Sequence, residues 1–139
     1  MRFCHINATS AKKHKDELFS RFGSMDIISI NETNLNDKLQ FQLPGFNTFR
    51  FDRLQKKGGG VLLAIRKGIK CHEVFARDFD NNECVAVQIF TNNGPLLICS
   101  VYVPPQVKIS SRLFHHLTTI NLNCLVMGAQ CSFLSFGLS

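Results

Sequence analysis

The chain has 139 residues, a length that suits one domain with a buried core. Hydrophobic residues at 45% and charged residues at 19% exclude a disordered chain, and no run reaches the roughly 18 uninterrupted apolar residues of a membrane helix. A formal net charge of +6 and a pI of about 9.2 favour an anionic partner such as nucleic acid, although an ordinary solvated basic surface explains the same charge.

Taken in chain order, residues 3–7 read as a short first strand. Arg2 and His5 beside isolated apolar residues do not make a signal peptide, so the expected location is intracellular, in nucleus or cytoplasm. Ser10 stands where an N-cap would. Behind it, residues 11–22 carry Leu18, Phe19 and Phe22 on one side and Lys12, Lys13, Lys15, Asp16 and Glu17 on the other, which predicts an amphipathic helix closed by Gly23. Residues 25–30 form an apolar strand leading directly to Asn31-Glu32-Thr33, so strand, helix and parallel strand make a βαβ unit. Residues 34–45 are polar and close on the turn pair Pro44-Gly45.

Residues 46–51 alternate Phe with Asn, Thr and Arg, the pattern of a strand with one buried face. A charged turn over 52–57 and the triplet Gly58-Gly59-Gly60 lead into an apolar strand over 61–65, which Arg66-Lys67-Gly68 turns. Two more strands, 84–90 and 96–103, flank the turn Asn92-Asn93-Gly94-Pro95. Pro104-Pro105 ends that edge, Ser110 or Ser111 caps a helix through Ile120, and residues 124–127 are the last strand. The whole predicts one α/β domain over residues 1–139 with a mostly antiparallel middle.

The six cysteines show no CxxC pairing, and several lie in strand-like runs where Cys acts as a small hydrophobe. Cys4-His5 and Cys71-His72 lack zinc-ligand spacing, and His115-His116 point to different sides of a helix, so no zinc site is expected. The glycine triplet is no phosphate loop, because a strand follows it and GxxxxGK[ST] is absent.

Residues with chemistry gather at strand ends. Asn7 follows the first strand, Glu32 the second, Tyr102 lies near the end of 96–103, and Ala129 follows the last strand. Strands lying side by side would place these on one rim, where α/β sheets bind ligands. Glu32 then suits a hard cation such as Mg²⁺, Asn7 is a neutral oxygen beside it, and Tyr102 is a donor to phosphate. Plainer roles exist: a turn residue, a solvated strand-end carboxylate and a half-buried sheet aromatic. The residue types alone leave both open.

Blocks across nearly the whole chain carry a resemblance. They are His5-Ile6-Asn7-Ala8-Thr9-Ser10 with Lys15-Asp16-Glu17-Leu18, Asp26-Ile27-Ile28-Ser29-Ile30-Asn31-Glu32-Thr33, Pro44-Gly45-Phe46, Arg50-Phe51-Asp52-Arg53, Gly58-Gly59-Gly60-Val61, Val101-Tyr102-Val103-Pro104-Pro105 and Leu125-Val126-Met127-Gly128. In this order they resemble the endonuclease/exonuclease/phosphatase superfamily. Within it, the chain is most similar to the abasic-site-endonuclease-like domain that LINE-type (non-LTR) retrotransposons place before their reverse transcriptase. The resemblance implies the first part of a DNase I-like α/β/β/α sandwich, with a mixed sheet, flanking helices, a second sheet largely missing and an inner face left partly bare.

It also implies chemistry: a Mg²⁺- or Mn²⁺-dependent DNA endonuclease, with Glu32 and Asn7 at the metal and Tyr102 on the phosphate. Arg50 and Arg53 would touch DNA, with ion pairing to Asp52 or a neighbour as their structural alternative. DNA would be held weakly and without sequence preference, the family's partner is a reverse transcriptase in the same chain, and no membrane partner is implied. Against this stand two departures. Where the family has Asp and Asn after the last strand, this chain has Ala129 and Cys131; Ala offers no lone pair and Cys is a weak hydrogen-bonding group. The family's further Asp and Ser-Asp-His block would lie beyond Ser139. The expectation is a degenerate, C-terminally truncated endonuclease domain without activity, the alternatives being a basic nucleic-acid-binding remnant or an unstable fragment of a broken element.

Overall fold

The computed structural model describes residues 1–53 and 58–128, together with the backbone of 134–136. Its strands are β1 (Phe3–Asn7), β2 (Ile27–Asn31), β3 (Phe46–Phe51), β4 (Val61–Arg66), β5 (Cys71–Phe79), β6 (Asn82–Thr91), β7 (Gly94–Tyr102), β8 (Cys124–Gly128) and β9 (Leu134–Phe136). The first four make one sheet in the order β1-β2-β4-β3, in which β1 and β2 run parallel and the other pairs antiparallel. The remaining five make a second sheet in sequence order, with one parallel pair, β7 and β8.

Successive strand side chains point to opposite faces, and the cores divide accordingly. On β2, Ile28 and Ile30 pack outward with Leu18 of helix α1 (Lys15–Phe22) and with Leu35, Phe41 and Leu43 of the following segment. Ile27 of β2 and Val61, Leu63 and Ile65 of β4 face inward and meet Val85, Val87, Ile89, Ile98, Leu125 and Met127 of the second sheet. The far side of that sheet, with Cys84, Ala86, Cys99 and Val126, packs on Leu113 and Leu117 of helix α2 (Ser111–Ile120). Helix, sheet, sheet and helix stack as an α/β/β/α sandwich.

Three features differ from the sequence reading. The layer expected to be largely missing is a five-stranded sheet, because residues 71–102 fold back as an antiparallel meander that covers the first sheet's inner face. Its strand β5 has no clear sequence signature: it is an edge strand, exposed at His72, Glu73, Arg77 and Asp78, and a register shift between Glu73 and Phe75 breaks its alternation. Helix α1 begins at Lys15 rather than Ala11, with His14 at its N-cap. The backbone N–H groups of Ala8 and Ala11 are taken by the carbonyls of Asn31 and Thr33, each at 2.9 Å, so the chain keeps company with β2 before it can turn into a helix.

Gly23 at the end of α1 is not left-handed, with φ −62°; a Cβ there would lie 2.5 Å from the Phe19 carbonyl, so close packing is what requires glycine. Helix α2 is as expected: the Ser110 hydroxyl accepts the Leu113 N–H at 3.2 Å. The described cysteines are free thiols. No helix among the described residues is long and apolar enough to cross a membrane.

Candidate metal and phosphate site

Toward one end of the sandwich the space between the sheets turns polar. On the inward side of β2 the sequence runs Ile27, Ser29, Asn31, and on that of β7 it runs Ile98, Ser100, Tyr102. Ser29, Asn31 and Ser100 are fully buried, and buried polar groups are costly unless they bond one another. They do so across the sheets. Ser29 and Ser100 share a hydroxyl hydrogen bond of 2.6 Å, Ser100 donates to Asn31 Oδ1 at 3.4 Å, and Asn31 Nδ2 donates to the Val101 carbonyl at 3.0 Å. His5 Nδ1 joins the chain at Ser29 Oγ, 2.8 Å away. Its other ring nitrogen is buried without a partner among the described residues, and burial holds the His5 pKa below the usual histidine value.

This network fixes the ends of β2 and β7 against each other and so sets Glu32 opposite Tyr102. The phenol donates to Glu32 Oε1 at 2.9 Å. Burial first, and the neighbouring Glu32 carboxylate second, push the Tyr102 pKa above that of an ordinary tyrosine, so it is a protonated donor at neutral pH. Glu32 sits at φ 54° in the left-handed region, a strained backbone for a residue with a Cβ.

The other sequence candidates fall around this pair. Asn7 stands level with Asn31 in the parallel β1–β2 ladder, one residue short of Glu32; it is exposed, and its Oδ1 accepts the Thr9 N–H at 3.3 Å. Gly128 pairs with Val101, so β8 ends beside Tyr102. The candidates therefore come from both sheets facing each other at one end, rather than from neighbouring strands of one sheet. Ala129 and Cys131 lie outside the described residues, as do Lys56 and Lys57.

Both arginines proposed for DNA are engaged within the domain. Arg50 forms an ion pair with Asp52 at 3.2 Å and donates to the Asn36 and Leu39 carbonyls. Arg53 Nε meets Glu83 Oε2 at 2.6 Å, while Glu83 Oε1 accepts the Gly60 N–H at 2.7 Å. Glu83, level with Tyr102 on the neighbouring strand, went unnoticed in the sequence, although a signal exists. It shares the parity of Val85, Val87 and Ile89, all of which face inward, and a carboxylate in that series must be bonded inside.

A hard cation needs oxygen ligands, commonly one or two carboxylates with water and phosphate completing the shell. Glu32 Oε2 makes no hydrogen bond among the described residues, and Asn7, at the end of the neighbouring strand β1, is exposed. No group of three or more His, Cys, Asp or Glu side chains suited to a metal occurs among the described residues. The donor set fits a weakly held cation shared with phosphate, not a protein cage.

No protein-family model matches the chain. The RNA-directed DNA polymerase from mobile element jockey of Drosophila funebris is 22% identical over 114 residues, which is 81% of this chain and 12% of that protein. Among solved structures, the endonuclease domain of TRAS1, a telomere-specific non-LTR retrotransposon, superposes with a TM-score of 0.62 at 15% identity over 91% of this chain and 57% of its own. The 3′–5′ exonuclease NExo from Neisseria meningitidis gives 0.60 at 14% identity over 92% of this chain and 57% of its own. The chain has a DNase I-like fold. The AP endonuclease LMAP from Leishmania major shares it, with a TM-score of 0.56 at 14% identity over 91% of this chain and 54% of its own. This DNase I-like domain thus spans a little over half the length of these structures and a small part of the jockey polymerase.

Proposed function

We propose that the chain is the endonuclease-type domain of a non-LTR retrotransposon, that its rim binds a divalent cation and phosphate weakly, and that it does not cleave. The observation that carries this reading is the 2.9 Å hydrogen bond from Tyr102 to Glu32 at the end of a DNase I-like sandwich. With one oxygen on the phenol, the Glu32 carboxylate would keep the other for Mg²⁺ or Mn²⁺, and Asn7, at the end of the neighbouring strand β1, would serve as a neutral ligand. The cation, when bound, would supply charge neutralisation at a phosphate. Tyr102, protonated at neutral pH, has one hydroxyl proton, which Glu32 accepts here and which an incoming phosphate oxygen would have to take over.

Cleavage would further need a group to activate water and another to hold the reacting phosphate. Ala129 and Cys131 occupy the positions where the resembling family has Asp and Asn, and neither a methyl nor a thiol does that work. Loss of one member of a cooperating set removes most of the rate. DNA is the proposed partner, without sequence preference, and a reverse transcriptase in the same polypeptide is the companion suggested by the jockey relative. Purified chain with Mg²⁺ or Mn²⁺ is expected to nick supercoiled plasmid and abasic duplex no faster than its Glu32→Ala variant. Metal-dependent nicking that Glu32→Ala abolishes would overturn the inactive reading.

A second reading, a nucleic-acid-binding domain that uses no cation, draws on the net charge of +6 and on the exposed Lys12 and Lys13. Binding that is unchanged by a chelator and by Glu32→Ala would favour it.

A further inference from the structure

We propose that Glu83 is a positioning residue for the Glu32–Tyr102 pair, acting through a closed ring of hydrogen bonds that holds the glycine segment 58–60 against the rim. The proposal rests on the reading of that rim as a cation and phosphate site. Glu83 is only 4% exposed and stands directly across the β6–β7 ladder from Tyr102. Its two oxygens are divided between the Gly60 N–H and Arg53. The Gly60 carbonyl in turn accepts the Thr33 N–H at 3.4 Å, and the Gly59 carbonyl accepts the Asn34 N–H at 3.0 Å. Thr33 is bonded to Glu32, and Glu32 returns to Tyr102 through the phenol. The ring is closed.

Each link explains a residue type. Gly60 has φ +92°, and a Cβ there would run into the Thr33 hydroxyl, so only glycine lets the segment pack this closely on the residue that follows Glu32. Glu32 and Asn34 both have φ 54°, a conformation that relaxes unless neighbouring bonds hold it. The glycine carbonyls are those bonds. Glu83 fixes the glycines, and its carboxylate gives the backbone N–H and the guanidinium an oxygen each; an amide has one acceptor oxygen and would turn its NH2 donors toward one of them. A buried carboxylate is costly without such partners, and Arg53 supplies the opposite charge.

The chain provides its own probe, since Tyr102 is the one tyrosine and tryptophan is absent. Emission excited beyond phenylalanine absorption therefore reports on Tyr102 alone, and contact with the Glu32 carboxylate quenches it. The full chain, Glu83→Gln and Asp26→Asn would be compared with and without Mg²⁺. Asp26 serves as the control because it also pairs with an arginine, Arg66, but before β2 at the opposite end of the sandwich. Both variants are expected to lose stability. Glu83→Gln alone should brighten Tyr102 and raise the Mg²⁺ concentration for half-response by about tenfold or more, as second-layer partners of a metal ligand do. Wild-type emission and wild-type half-response in Glu83→Gln would overturn the positioning role. A wild-type chain that ignores Mg²⁺ would instead sink the cation reading, and metal-free emission would then decide the positioning role by itself. Should Glu83→Gln fail to fold, Arg53→Lys, which keeps the charge but not the geometry at Glu83, should brighten Tyr102 in the same direction; unchanged emission there would overturn the proposal.

Discussion

At the scale of single residues, the site is a contest between burial and bonding, and the outcome is measurable. Tyr102→Phe removes the donor from Glu32 Oε1 but leaves a carboxylate that water can reach, so the loss should be modest, about 1 kcal/mol in urea unfolding. A loss near zero would mean that the bond does not order the rim. His5 gives a sign that can be checked. Its folded pKa lies below 6.5, so the unfolded chain takes up a proton first as pH falls. Its contribution is flat above pH 6.5, declines as pH drops from there through the folded pKa, and is flat again below. Unfolding midpoints at stepped pH should show that decline in the wild type and less of it in His5→Gln; identical profiles would put the buried imidazole out of account. Glu32, Asn7 and Tyr102 were legible in the sequence because each ends a recognisable strand. Ser29, Ser100, Asn31 and Glu83 were not, because their meaning depends on the partner sheet, which strand parity alone does not place.

At the scale of elements, two serines show why one helix start could be read and the other could not. Ser110 and Ser10 both precede amphipathic runs. Ser110 caps α2 and also donates to Asp80 Oδ2 at 2.6 Å, whereas the chain after Ser10 is held by Ala11 to Thr33, just past β2, before α1 begins at Lys15. The local signal is the same; the long-range backbone bond overrides it. Ser110→Ala should therefore cost about 1–2 kcal/mol, and Ser10→Ala should fall within about 0.5 kcal/mol of the wild type. Comparable losses would show that Ser10 caps a helix in solution. The glycines make a parallel comparison. At Gly45, with φ +83°, an added Cβ would meet nothing within 4 Å, so Gly45→Ala bears backbone strain alone, about 1–2 kcal/mol. Gly60→Ala adds a collision with Thr33, a further 1–3 kcal/mol or so. Thr33→Ala in the same chain should recover part of that excess, because the two positions share one contact. Strictly additive losses would mean that the glycine segment moves aside and does not hold Glu32.

For the whole molecule, the four layers put the cation and phosphate candidates at one end and leave the basic residues to decide whether a polyanion can reach them. Arg50 and Arg53 carry charge but are engaged with Asp52 and Glu83, so they add little net field at the rim. Lys12 and Lys13 are placed differently. They are exposed and follow Ala11, whose N–H is bonded to Thr33, so they flank Glu32. Lys67 and Lys70 lie past the end of β4, at the opposite end of the sandwich. Duplex binding should weaken linearly on a log–log plot against salt, with a slope of about −0.9 for each phosphate neutralised, because counterions are released from the backbone. Lys12→Ala with Lys13→Ala should flatten that slope by up to about two contacts, while Lys67→Ala with Lys70→Ala should leave it unchanged. The measurement is a titration of labelled duplex by each variant at several salt concentrations. Equal slopes in all three proteins would place the nucleic acid elsewhere on the surface, and a larger effect from Lys67 and Lys70 would reverse the face on which this domain meets its partner.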